Sequence, residues 1–186
     1  MSTQSSPEQL VAAANGRQLS LITLPRRSDC PPELSDVIAA FDAGDRPAAT
    51  ASARWLRESA LDQHGSARAY LWLAAGQAHG FFAISVGTAK LLPENLTALD
   101  AGPWPLPAIL LAQAARSPGG SLPAGAILTS ALGVAERIAQ YAGVAALILD
   151  PFDAPTSAMW QRRGFQPVLD KPPPGRQPRL WRALGS

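Results

Sequence analysis

The stretch Arg116 to Gly125, Arg-Ser-Pro-Gly-Gly-Ser-Leu-Pro-Ala-Gly, joins a continuous apolar run to a helix-forming segment. Backbone amides at such a junction can point at an anion, and the positive end of the following helix favours negative charge there. The same composition also makes an ordinary turn rich in Gly, Pro and Ser. Two residues work against an anion: Pro123 has no amide hydrogen, and the Leu122 side chain would crowd an approaching oxygen. Further along, Asp150 and Asp153 in LILDPFD stand at a strand end, where a carboxylate could act as a base. Asp153 followed by Ala154 and Pro155 also suits a helix cap. Thr156 and Ser157 carry neutral hydroxyls, poor acids whose usual work at this position is capping. Arg162, Arg163, Arg176, Arg179 and Arg182 could meet phosphates or could form a solvated basic face. Trp72, Phe81 and Phe82 could line a pocket, but alternating aromatics in a hairpin are core residues more often. Tyr141 reads as a packed residue.

Metal chemistry has little to work with. Cys30 is the only cysteine, which excludes an internal disulfide and a multi-thiolate cage, and the two histidines, His64 and His79, read as surface or packing residues. No metal is expected. Sixteen basic against fourteen acidic side chains give a formal charge of +2, too small to announce a nucleic-acid binder. Arginine outnumbers lysine fourteen to two, which suits phosphate recognition and equally suits a GC-rich genome.

The elements that must position these residues follow from spacing. The 186 residues are 47% apolar and 16% charged, enough for one folded domain and too apolar for general disorder. No apolar run is long enough to span a bilayer and the N-terminus lacks the pattern of a signal peptide, so no membrane is expected and the cytoplasm is the expected location. Residues 1–17 read as a flexible N-terminal extension, and 18–186 as a single domain. Gln18 to Leu24 alternates as a strand. Leu34, Val37, Ile38 and Phe41 recur at helical spacing, and a second helix is expected over Ala48 to Gln63. Arg68 to Ala75 and His79 to Lys90 form a hairpin, and a Pro-broken stretch follows as far as Leu106. Ala108 to Ala115 is a buried strand, Pro123 to Tyr141 a helix, and Val144 to Leu149 another buried strand. A short helix over Pro155 to Arg163 ends at Gly164, and Phe165 to Leu169 and Arg179 to Leu184 close the chain as strands. One strand-helix-strand unit inside an otherwise antiparallel order predicts an α+β fold with a single parallel crossover.

Several phrases in this order resemble a known family. Phe41-Asp42-Ala43-Gly44 precedes Arg54-Trp55-Leu56-Arg57-Glu58. Gly80-Phe81-Phe82-Ala83-Ile84-Ser85 lies in the hairpin, and Pro105-Leu106-Pro107-Ala108-Ile109-Leu110-Leu111 opens the next strand. Ser157-Ala158-Met159-Trp160-Gln161-Arg162-Arg163-Gly164-Phe165 spans the short helix. Together they resemble the GNAT superfamily of acyl-CoA-dependent N-acetyltransferases and, within it, the acetyltransferase toxins of bacterial toxin-antitoxin pairs. The resemblance covers about Leu19 to Leu184.

The resemblance implies the GNAT fold, a central mixed, mostly antiparallel sheet flanked by helices, and acetyl-CoA as co-substrate. It implies a cofactor site at Leu111, Ala112, Gln113, Arg116, Gly119, Gly120, Ser121, Ala124 and Gly125, with the strand Ala108 to Ala115 offering its edge to the pantetheine arm. It also implies attack by a primary amine, such as the α-amino group of an aminoacyl-tRNA. A small ribbon-helix-helix antitoxin and a homodimer would be its partners. The chain departs from the family in two places. Arg116 to Ser121 fits Gln/Arg-x-x-Gly-x-Gly/Ala except at its last residue, and counting back from the helix places Leu122 and Ala124 at the small positions instead. Trp160 stands where the family often has a tyrosine acid, and an indole cannot take that role. Ser157 is then the remaining weak candidate for catalysis. Loss of catalysis, leaving a binding or regulatory module, is the alternative, and a small metabolite or a protein lysine is an alternative acceptor.

Overall fold

The computed structural model describes residues 10–14, 17–62, 66–99, 105–123, 125–169 and 174–185, so that His64 and Ala124 lie outside the described residues. Its strands follow the order β1-β2-β3-β4-β5-β6-β8-β7. The chain divides into two compact units, each assembled from two segments: Met1–Ala83 with Gln113–Ile127, and Ile84–Ala112 with Leu128–Ser186.

In the first unit β2 (Arg17–Thr23) alternates as expected, turning Leu19 and Leu21 into the core. β1 (Leu10–Ala14) pairs antiparallel with it, Leu10 opposite Leu21 and Ala14 opposite Arg17. The sequence places these five residues in an extension, because LVAAA has no polar alternation to mark it as a strand. On its other side β2 meets β3 (Arg68–Ala74), which turns at Ala75-Gly76 into β4 (Gln77–Ala89). α1 (Pro32–Ala39) and α2 (Pro47–Glu58) each begin at a proline, whose fixed φ and missing N–H suit a first turn. Their apolar residues Ile38, Ala53 and Leu56 join Phe41, Leu71, Phe81 and Ala115 in one core cluster. Phe81 stacks on Trp55 at 6.2 Å and meets Phe41 edge-on at 5.5 Å, while Phe82, pointing the opposite way, stacks on Tyr70 at 4.9 Å. Both rings are fully buried, so β4 is covered on both faces here.

The second unit holds β5 (Leu106–Arg116) as far as Ala112, and there it runs parallel to β6 (Ala146–Leu149), from Ala108 opposite Ala146 to Leu111 opposite Leu149. β6 therefore stops level with Leu111, whereas β5 continues to Arg116. β8 (Leu180–Ala183) lies antiparallel to β6 and to β7 (Gln166–Pro167), which is shorter than the strand expected over Phe165 to Leu169. Ala89, Leu106, Ala108, Ala146, Ile148, Val168 and Trp181 form this unit's core. The Pro-broken stretch holds a six-residue helix, α3 (Pro93–Ala98), too short to show a repeat in the sequence. α4 (Ala126–Ala142) begins at Ala126 and not at Pro123, because Gly125 has φ +90°, which no right-handed helix can include. Tyr141, in the last turn, is 91% exposed; it shares the face of Val134 seven residues earlier, but the expectation of a packed ring fails because α4 buries no described residue beyond Ala135. α5 (Ala154–Gln161) is capped by Asp153, whose carboxylate accepts from the Thr156 N–H at 2.8 Å.

Candidate functional site

The loop from β5 to α4 belongs to the first unit and is held there by residues of β4. His79, on β4, is 5% exposed. Its carbonyl accepts the Ser117 N–H at 3.1 Å, and its ring Nδ1 accepts the Ser121 N–H at 3.1 Å with Ser121 Oγ at 3.4 Å. The Gly120 N–H closes a turn onto the Ser117 carbonyl at 3.1 Å, around Pro118 and Gly119. Arg116 Nη1 donates back to the Leu122 carbonyl at 3.3 Å.

Leu122 does not crowd the junction. Its side chain is 3% exposed and turns onto β4, where a methyl group placed on Gly80 would lie 2.7 Å from Leu122 Cδ2. Only glycine allows this approach. Gly120 is equally tight, with His79 Nδ1 3.1 Å and two carbonyl oxygens 3.2 Å from the position of its missing Cβ. Around Gly119, by contrast, a Cβ would meet no atom within 4 Å.

The backbone amides of the loop's described residues fall into two sets. Those of Ser117, Gly120 and Ser121 are used within the unit, and Pro123 has none. Those of Gly119, Leu122 and Gly125 donate to no described group. Backbone donors left in this way are the raw material of an anion-binding loop.

The phrase Phe41 to Gly44 also serves this loop. The Asp42 carboxylate accepts the Gly44 N–H at 2.8 Å, and Arg57 of α2 donates to the Phe41 carbonyl at 2.8 Å. Gly44 takes φ +87°, and the Pro118 ring carbon Cγ comes within 2.8 Å of where its Cβ would stand. Two phrases far apart in the sequence thus meet through one glycine.

The other residues singled out by sequence are dispersed. Leu111 and Ala112 lie on β5 beside the end of β6, with Leu111 in the core. Gln113 is tied down by its side chain, which accepts from Ser52 Oγ of α2 at 2.9 Å. Arg116 ends the strand, and Gly119, Gly120 and Ser121 form the turn, separated from α4 by Leu122 to Gly125. Gly125 alone among the cofactor candidates described borders the helix start. Ser157 is buried, its hydroxyl accepting from Gln161 Nε2 at 3.2 Å, and Trp160 packs edge-on against Phe165 at 5.4 Å. Trp72, Phe81 and Phe82 are core residues.

Asp150 is not a free base. Both its oxygens accept from Arg179, at 2.7 Å from Nε and 2.6 Å from Nη2, and this hydrogen-bonded partner holds the Arg179 guanidinium above its ordinary pKa. The pair lines a cavity of about 840 Å³ in the second unit, with Lys90, Arg176 and Phe152. The Phe152 ring is 60% exposed. Arg182 donates to the Arg163 carbonyl at 3.1 Å. Among the described residues no group of His, Cys, Asp and Glu could hold a metal ion, and no helix is long and apolar enough to cross a membrane.

Sequence reasoning reads His79 as a surface or packing residue, and the structure buries it against the loop between β5 and α4. Its adjacency to Gly80 is the one signal that could have found it.

The mixed sheet with its parallel β5–β6 pair, β5 outrunning β6, and flanking helices is the GNAT fold. Solved structures of this fold are similar over nearly the whole chain. A tyrosine-to-phenylalanine variant of KacT gives a TM-score of 0.71 at 17% identity, covering 89% of this chain and 95% of that one. AtaT complexed with acetyl-methionyl-tRNA gives 0.70 at 17%, covering 89% and 94%. A tyrosine-to-phenylalanine variant of the AtaT toxin bound to the C-terminus of the antitoxin AtaR and acetyl-CoA gives 0.64 at 17%, covering 89% and 92%. No family model and no curated relative matches the chain by sequence.

Proposed function

We propose that this protein is an acyl-CoA-dependent N-acetyltransferase that moves acetyl from acetyl-CoA to the α-amino group of an aminoacyl-tRNA. The observation that carries the reading is the set of uncommitted amides at Gly119, Leu122 and Gly125, held at the end of the strand that outruns its parallel neighbour. In this reading those amides and Arg116 receive the diphosphate, and the edge of β5 beginning at Gln113 receives the pantetheine arm. Gly120 and Ser121 shape the turn without donating to the ligand, since their amides are already used.

The reaction is direct. The neutral amine attacks the thioester carbonyl, the C–N bond forms, the C–S bond breaks and the thiolate leaves. The Trp160 indole N–H is far too weak an acid to protonate a thiolate, so the proton lost by the amine reaches the thiolate through water. An RNA acceptor is supported by the cavity of the second unit, where Lys90 and Arg176 suit phosphate and the exposed Phe152 ring suits a stacked base. AtaT, of the same fold, has been captured with an acetylated aminoacyl-tRNA. An antitoxin partner is supported in the same way, by AtaT bound to AtaR and by a KacTA–DNA complex. The ribbon-helix-helix type of that antitoxin, a homodimer and a cytoplasmic location belong to the same proposal.

Calorimetric titration with acetyl-CoA tests the reading: saturable binding is expected, and none at millimolar ligand overturns it. Trp160 in the place of a tyrosine favours one competitor, a GNAT domain that binds acetyl-CoA without turnover. Steady thiol release with charged tRNA eliminates that competitor; binding without release, for tRNA and a panel of amines alike, establishes it.

A further inference from the structure

We infer that His79 is the positioning residue of the diphosphate loop, setting which amides face the ligand. The inference rests on the reading of that loop as the acetyl-CoA site.

His79 grips the loop at two points on either side of the Pro118-Gly119 turn, through its carbonyl to the Ser117 N–H and through its ring to the Ser121 N–H, both at 3.1 Å. The Ser121 N–H points at Nδ1, which makes this ring nitrogen the acceptor of the pair. The ring is buried and lies close against Gly120, where a Cβ would come within 3.1 Å of Nδ1, so only glycine lets the loop approach it this closely. The neighbouring Gly80 fixes the same loop by letting Leu122 settle on β4. With Ser117 and Ser121 held and Leu122 seated, the peptide units between and beyond them take the orientation that leaves the Gly119 and Leu122 amides uncommitted. Without the ring acceptor, the Ser121 amide must turn to find another partner, since a donor left unpaired away from water is costly. The loop then loses its shape while the sheet beneath it remains.

A conservative replacement separates this role from simple packing, because the Asn side-chain oxygen falls close to the position of His Nδ1 and can accept the same hydrogen bond. In His79→Leu the Kd for acetyl-CoA is expected to rise on the order of tenfold, and in His79→Asn to stay within about threefold of the parent. In turnover assays the Leu variant raises the KM for acetyl-CoA and leaves the KM for the amine unchanged. Hydrogen exchange at the Ser121 amide, read without ligand, is slow in the parent and in His79→Asn and fast in His79→Leu. Should His79→Leu fail to fold, Gly120→Ala tests the same contact from the loop, with fast Ser121 exchange and weakened acetyl-CoA binding expected. Parent-like binding by His79→Leu overturns the inference, and so does an Asn variant as weak as the Leu variant. If the parent itself binds no acetyl-CoA, the proposed function fails, and the exchange rates still decide whether His79 holds the loop.

Discussion

Gly80 and Leu122 share one volume. Because the Leu122 methyl sits 2.7 Å from the place of a Gly80 Cβ, Gly80→Ala forces a buried side chain off its seat and should cost about 1–3 kcal/mol. In combination with Leu122→Ala the loss should be smaller than the sum of the single losses, a coupling of at least ~0.5 kcal/mol that a denaturant double-mutant cycle would measure. Additive losses would mean that the two residues do not share this space. The cap of α5 is a separate residue-level matter. Asp153→Ala removes the acceptor of the Thr156 N–H and should lower stability by about 1 kcal/mol, read as a shift in urea midpoint with unchanged slope. At this scale the sequence was legible wherever a residue type has one dominant local use. Asp153 before Ala154-Pro155 reads as a cap and is one. Asp150 at a strand end reads as a possible base and is instead held by Arg179, a partner 29 positions away that no local pattern announces. The packing of Leu122 onto Gly80 likewise depends on a glycine 42 positions earlier, so its crowding of the loop was a fair expectation that tertiary structure reversed.

Elements with a strong period were read nearly whole. The hairpin of β3 and β4, the long β5 and the body of α4 stand where alternation and helical spacing put them. Their ends were less legible. α4 starts three residues late because a left-handed Gly125, not the more conspicuous Pro123, decides where helical geometry can begin. β1 escaped notice because LVAAA carries no alternation, and what makes it a strand is the partner β2. The cavity of the second unit belongs at this scale too, since it draws on the ends of β4 and β6 and on the segment before β8. If it seats an RNA end, Lys90→Ala and Arg176→Ala should each weaken binding of charged tRNA. Each should also flatten the dependence of log affinity on log salt by about 0.7, the slope of one phosphate contact to a single strand. An unchanged slope would remove that side chain from the interface.

For the molecule as a whole, the family phrases were legible as an ordered set long before any one of them could be explained. Their meaning lies in contacts between them: Arg57 holds Phe41, Asp42 turns Gly44, Gly44 admits Pro118, and Gly80 admits Leu122. No single phrase carries that information. The interleaved division of the chain makes a different kind of prediction. The first unit needs Gln113–Ile127 as well as everything up to Ala83, and Ala115 lies in its core. A fragment ending at Ala83 should therefore remain unfolded by circular dichroism, whereas one that extends through Ile127 holds every segment of that unit. During synthesis the same arrangement imposes a delay. The loop between β5 and α4 cannot settle against His79 and Gly80, made about forty residues earlier, until Ile127 has cleared the exit tunnel, so the first unit waits unfinished while part of the second is already being made.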